Sequence, residues 1–195
     1  MNDILDAKTH NTWEGGKSFS LRNRIIRLIW SISWALLASW TPPQLRQWRR
    51  ILLTLFGAKI DKTANIYSTV RIWYPPNLEM GAFSCLAPKV NCYNMAKITL
   101  GDYALVSQGA HLCAGSHDIT DPNFQLFSRP IVVGSKSWVA AEAFVGPGVT
   151  VGEGAVLGAR GVAFKSLMPW QVYAGNPAKQ LKERVLRAGN GPVTR

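Results

Sequence analysis

A chain of 195 residues, 47% of them apolar and none in a low-complexity tract, is long enough for one packed domain with an appended segment. It excludes a disordered chain and is too short for two independent enzymes. Twenty-two Lys and Arg against 11 Asp and Glu give a formal charge of +11, which favours anionic partners: nucleic acid, an acidic membrane surface or a phosphate-bearing cofactor. Three cysteines with no CxxC pair (Cys85, Cys92, Cys113) argue against a disulfide framework or a zinc site. They read as small buried groups in a reducing compartment.

The opening stretch, MNDILDAKTHNTWEGG, has no basic region followed by an apolar run. A cytoplasmic protein with a mobile N-terminal segment is expected. Next comes the uncharged stretch LIWSISWALLASW (28–40), preceded by Arg22, Arg24 and Arg27 and followed, after Pro42-Pro43, by Arg46, Arg49 and Arg50. A helix of that length spans roughly 20 Å, short of the ~30 Å hydrocarbon core of a bilayer. Two placements stay open: a helix in the membrane interface, with tryptophans as anchors and arginines on anionic lipid, or one packed on the main domain or a neighbouring subunit. Residues 1–56 are therefore expected to form an N-terminal extension of amphipathic and apolar helices.

From residue 57 the sequence keeps a period of six. Lead aliphatics fall at Ile60, Ile66, Ile72 and Leu78, then Met80, Leu86 and Cys92, then Leu100, Val106 and Leu112. The beat resumes at Val133 and runs through Val139, Val145, Val151, Leu157 and Ala163. Small residues follow four positions later, as at Ser84, Ala96, Ala104, Ala110, Ser116, Ser137, Ala143 and Ala155. Six is neither the helical 3.6 nor a hairpin spacing. It fits a mainly β coil of three short strands around a triangular prism, about eighteen residues per turn, with Gly or Asn taking the turns. The prism is expected over 57–178, with an excursion loop at 118–130, and a basic C-terminal helix and tail over 179–195.

The break matters most. Between Leu112 and Val133 the beat stops, and His117-Asp118 stands where the chain departs. An imidazole has a pKa suited to taking a proton from a hydroxyl. Asp118 could orient that ring by the logic of other His–carboxylate pairs, bind an acceptor, or form an Asx turn ahead of Pro122. The excursion, with Phe124, Phe127 and Arg129, is where acceptor choice is expected. His111 lies inside the regular coil and reads as an ordinary repeat position.

These residues, with LFGAKI (55–60), SQGAHLCAGSHD (107–118), SWVAAEAFVGPGVTVGEGAVLGARGV (137–162) and YAGNPAKQLKER (173–184), resemble the hexapeptide-repeat acyltransferases. The closest branch is the colanic-acid or exopolysaccharide type of O-acetyltransferase. The resemblance implies a left-handed parallel β-helix and a homotrimer with active sites between neighbouring prisms. It also implies an acetyl-CoA donor and a glycan acceptor attacked directly by its hydroxyl, with His117 as general base. By the same resemblance Trp138 and Ala141 lie beside the thioester, Ala159 and Gly161 line the pantetheine groove, Lys165 and Lys179 meet the coenzyme phosphates, and Asn91 falls near the acceptor tract. An aminosugar N-acetyltransferase and a non-catalytic β-helix scaffold are the alternatives. A carbonic-anhydrase-type metal site needs three converging histidines, and of the three here His10 lies outside the repeat, so no metal is expected. No recognisable nucleic-acid motif accompanies the charge, so no nucleic acid is expected either. A peripheral contact with the inner membrane face is the remaining expectation.

Overall fold

The computed structural model describes residues 4–10 and 12–186. Helix α1 (Leu21–Leu37) starts at Ser20, whose side chain accepts from the Asn23 N–H. It ends ahead of Pro42-Pro43, which cannot continue a helix. Helix α2 (Arg46–Leu55) follows. The chain then coils through a prism. The first turn is β1 (Lys59–Ile60), β2 (Asn65–Ile66) and β3 (Arg71–Ile72); the second is β4 (Leu78–Met80), β5 (Cys85–Leu86) and β6 (Asn91–Tyr93). The third is β7 (Ile98–Leu100), β8 (Leu105–Val106) and β9 (His111–Cys113). A hairpin of β10 (Gly115–His117) and β11 (Leu126–Ser128) interrupts it. Coiling resumes with β12 (Ile131–Val133), β13 (Trp138–Val139) and β14 (Phe144–Val145), then β15 (Thr150–Val151), β16 (Val156–Leu157) and β17 (Val162–Ala163). The closing strands are β18 (Gln171–Ala174) and β19 (Lys179–Glu183).

Three parallel sheets form the faces: β1-β4-β7-β12-β15 is face one, β2-β5-β8-β13-β16-β18 face two, and β3-β6-β9-β14-β17 face three. The result is a parallel β-helix of about six turns. The lead aliphatics stack inward: Ile66, Leu86, Val106, Val139 and Leu157 on face two are all fully buried. Burial of each such side chain contributes about 1.5–3 kcal/mol. The small residue beneath each lead sits at the corner, and the buried Ser84 and Ser137 hydroxyls donate to the carbonyls of Gly81 and Gly134.

Four expectations are corrected. The period is 20 residues in the first three turns (Lys59 pairs with Glu79, Glu79 with Thr99) and 18 only afterwards (Trp138 with Val156). The two extra residues lie at the corner between faces three and one, where Asn94 exchanges hydrogen bonds with both backbone groups of Tyr74 and Asn77 binds the carbonyls of Asn94 and Met95. Second, Gly is not what the turns require. Left-handed corners are taken by Phe83, Lys89, Tyr103, Lys136, Glu142 and Arg160 as well as by glycines. The glycines after the lead residues answer a different need: a Cβ on Gly152 would lie 2.6 Å from Pro169 N, so coil-on-coil backbone approach excludes it. Third, the excursion is a hairpin beginning at Gly115, so Ser116 belongs to it and not to the repeat.

Fourth, residues 179–183 form a strand and not a helix. Strand β19 runs antiparallel to β18 and covers the sheet edge that the last coil of face two would leave unpaired. The remainder of the expected helix and tail, from residue 187 onward, lies outside the described residues.

At the opposite end, the first coil has no coil beneath it to receive its carbonyls. The wholly buried Arg49 donates from Nε to Ile66 O at 2.7 Å and from its other nitrogens to Thr41 Oγ1, Pro42 O and Pro43 O. Trp30 Nε1 takes Ile72 O at 2.7 Å. Helices α1 and α2 are thus the polar and apolar cap of the prism.

Candidate active site

The hairpin stands at the corner between faces three and one, the corner that the longer coils already enlarge. His117 ends β10 opposite Leu126. Beyond it the backbone turns: Asp118 Oδ1 accepts from Thr120 N at 2.9 Å and Thr120 Oγ1 at 2.6 Å, and Asp121 Oδ1 accepts from Asn123 N at 2.7 Å. Phe124 adopts φ 53°, and its carbonyl lies 2.8 Å from His117 Nδ1. The two rings stack at 4.3 Å with 13° between planes. A carbonyl oxygen only accepts, so Nδ1 carries the hydrogen and Nε2 is the basic nitrogen of the neutral ring.

His117 lines a cavity of about 440 Å³ with Asp118, Gln125, Phe127, Ser128 and Arg129. The Arg129 guanidinium lies 5.3 Å from the Phe127 ring centroid. The Asp118 carboxylate is held below the usual carboxylate range by the Thr120 hydroxyl and N–H. Its oxygen Oδ1 accepts from both Thr120 donors, so of the three roles considered for Asp118 the geometry displays the Asx turn. Ser128, which lines this cavity, has its Oγ buried with no hydrogen-bond partner among the described residues.

The N-terminal segment, expected to be mobile, is tied to this hairpin. Ala7 N donates to Gln125 Oε1 at 2.7 Å, Gln125 Nε2 returns to Leu5 O, and Thr12 Oγ1 reaches Asn123 O. The Trp13 ring packs on Phe124 at 4.8 Å, tilted by 37°, so Phe124 contacts both the Trp13 and the His117 rings. The sequence carries no signal for this contact across more than a hundred residues.

The other expected residues lie elsewhere. Trp138 stands outward on face two, its Nε1 donating to Ser107 Oγ at 2.8 Å, a partner that sequence reasoning missed. Ala141 and Ala159 occupy equivalent positions one coil apart at the corner between faces two and three, linked by Arg160 N to Ala141 O at 2.9 Å. Neither alanine N–H has a partner among the described residues. Gly161 closes that corner, where a Cβ would meet Leu157 Cδ1 at 2.8 Å. The chain returns over it through Ala178 N to Val162 O, which brings Lys179 to the same corner. Lys165, past β17, lies on the way to face one and not with this group.

Asn91 belongs to neither group. Its Nδ2 is 3.2 Å from His111 Nε2 on face three, and it lines a separate cavity of about 400 Å³ between α1 and that face, with Arg27, Trp73 and Tyr93. Burial lowers the His111 pKa. Burial pushes the Cys92 thiol up to about 12 and raises Cys85 and Cys113 in the same direction, so none is an activated nucleophile. One chain therefore keeps the His117 cavity and the Ala141–Ala159–Lys179 corner apart, with face three between them.

No family model matches the chain. The chain is 40% identical over 185 residues to WcaF of Escherichia coli K12, named for acetyl transfer in colanic acid biosynthesis, covering 95% of this chain and 98% of that one. A maltose O-acetyltransferase structure from Clostridium difficile superposes with a TM-score of 0.77 at 21% identity, covering 93% and 98% of the two chains. A Vibrio cholerae hexapeptide-repeat acetyltransferase complexed with acetyl-CoA gives 0.75 at 20%, covering 88% and 95%. The repeat, the prism and this identity across nearly the whole length agree: the chain belongs to the hexapeptide-repeat acetyltransferase family.

Proposed function

We propose that the protein transfers an acetyl group from acetyl-CoA to a sugar hydroxyl of an exopolysaccharide or lipid-linked oligosaccharide, with His117 as general base. The observation that carries this reading is the Nδ1 contact with Phe124 O, which leaves Nε2 as the basic nitrogen on a residue that lines a cavity. The acceptor O–H gives its proton to Nε2 as the oxygen attacks the thioester carbonyl carbon. The carbon–sulfur bond then breaks, and the departing thiolate takes the proton back from His117. No covalent enzyme intermediate is needed. The free N–H groups of Ala141 and Ala159 suit an amide-bearing pantetheine arm, Trp138 would wall the thioester, and Lys179 would meet the phosphates.

Because these groups sit at two corners of one prism, the reading requires a neighbouring subunit that sets its donor corner against this hairpin. A homotrimer of parallel prisms supplies that arrangement. Ser128, Phe127 and Arg129 are then placed to hold the acceptor beside His117. The direct test is an acetyl-CoA assay with a panel of hydroxyl and amine sugars on the native protein and His117→Ala. The expected result is transfer to hydroxyl acceptors that collapses in the variant. Native-like transfer by His117→Ala removes the base assignment, and transfer confined to amine acceptors favours an N-acetyltransferase.

A further inference from the structure

Helix α1 has two apolar faces, and the prism uses only one. Trp30 and Trp34 turn inward to cap the coil. Leu21, Ile25, Leu28, Ile29, Ile32 and Leu36, at three- and four-residue steps, form a stripe along the opposite side. All six are exposed, Leu28 to 60% and Leu36 to 67%. A contiguous aliphatic stripe of this kind marks an interaction surface and not scattered surface hydrophobes. On helix α2, Trp48, Ile51 and Leu55 are exposed as well.

What covers the stripe is indicated by its polar surroundings. The exposed Arg22 and Arg24 flank it on either side, and between Glu14 and Asp61 the chain has no Asp or Glu at all. Two copies meeting through this face would therefore oppose arginine to arginine with no carboxylate to offset them, whereas an anionic surface is complementary. The helix end is prepared for a medium without water. The last-turn carbonyls of α1, which would normally be left to solvent, receive Trp40 Nε1 (to Leu36 O, 2.8 Å) and Trp48 Nε1 (to Leu37 O, 2.7 Å). Both indole rings remain exposed, the placement favoured for tryptophan where apolar and polar media meet.

We infer that the α1–α2 cap is a membrane-docking face, on which α1 lies in the plane of an anionic lipid surface with its aliphatic stripe below the headgroups. No helix among the described residues is long and apolar enough to cross a bilayer, so the contact is peripheral. The inference is independent of acyl transfer, because it concerns lipid alone.

Flotation of the full-length protein with vesicles tests it. The native chain is expected to float with phosphatidylglycerol–phosphatidylcholine vesicles, to be shed as salt rises, and to bind pure phosphatidylcholine weakly. Ile25→Glu/Ile32→Glu, with unchanged circular dichroism, is expected to lose at least about tenfold in binding. The milder Arg22→Gln/Arg24→Gln is expected to lose the preference for anionic vesicles. Absence of native binding to either vesicle overturns the inference. So does a native oligomer that Ile25→Glu/Ile32→Glu dissociates without any vesicle binding, which would assign the face to a second copy. Acetyl-CoA binding, measured in parallel, is expected to be equal in all variants; its absence from the native protein would overturn the acetyltransferase proposal and leave the lipid result standing.

Discussion

Whether His117 can act as a base turns on a single hydrogen bond and one stacked ring. Phe124 supplies both the carbonyl that fixes the tautomer and the aromatic face that fixes the plane, and the Trp13 ring packs against Phe124. His117→Ala is expected to lower kcat by about 10²–10⁴-fold, the usual contribution of a positioned base, with little change in the KM for acetyl-CoA. Trp13 packs on Phe124 and donates from Nε1 to Pro122 O at 3.3 Å, so it is a positioning residue. Trp13→Ala is expected to lower kcat roughly tenfold at unchanged acetyl-CoA KM, and Trp13→Phe to restore most of it, since a full 1 Å displacement of a reacting group costs about 10²-fold and a smaller shift of the ring costs less. Failure of the phenylalanine to rescue would point to a general loss of folding. His111 behaves differently. Burial disfavours its charged form, so its folded pKa lies below the ordinary 6.5. The unfolded chain then binds the proton more readily, and stability present above that value falls as pH drops through it towards the folded pKa. In denaturant titrations from pH 8 to pH 5, His111→Gln is expected to flatten part of that decline.

Among the elements, the two ends of the coil solve one problem in different ways. A solenoid leaves backbone groups unpaired at its first and last turns. Strand β19 pairs the last turn by running back along β18, and the helical cap pairs the first through Arg49 and Trp30. Arg49→Leu leaves the buried Ile66 carbonyl without a donor. It is expected to cost about 1–3 kcal/mol, read as a lower denaturation midpoint at unchanged m value. The arginines around the apolar stretch thus divide into different roles. Arg49 is structural, Arg27 lies over the Trp73 ring at 4.2 Å, and Arg22 and Arg24 remain for a partner. Charge and spacing alone do not separate them, because each is an arginine near an apolar run. The same holds for the glycines, whose need comes from the neighbouring coil.

For the whole molecule, the two halves of the proposed site occupy different corners, so activity is expected to belong to the assembly. Mixing inactive His117→Ala with inactive Ala141→Trp, after partial unfolding and reassociation, is expected to restore a measurable fraction of activity through mixed oligomers. Complete absence of rescue would place both halves of each site in one chain. Much of the architecture was legible beforehand because hexad periodicity is a direct record of which side chains point inward. Even the 20-residue coils were present as the step of eight from Ile72 to Met80 and from Cys92 to Leu100. His117 was legible as the residue at the break. The support around it was not: Ala7 and Trp13 reach the hairpin, at Gln125 and Phe124, through contacts that no local pattern encodes. By itself, then, the sequence determined the prism, its stacked core and the place where it opens, since these follow from short-range periodicity and steric size. Only the tertiary structure decided the tautomer of His117, the burial of Arg49, the strand at 179–183 and the unpartnered stripe on α1. Each depends on which distant backbone group or surface comes within hydrogen-bond or packing distance once the coil is closed.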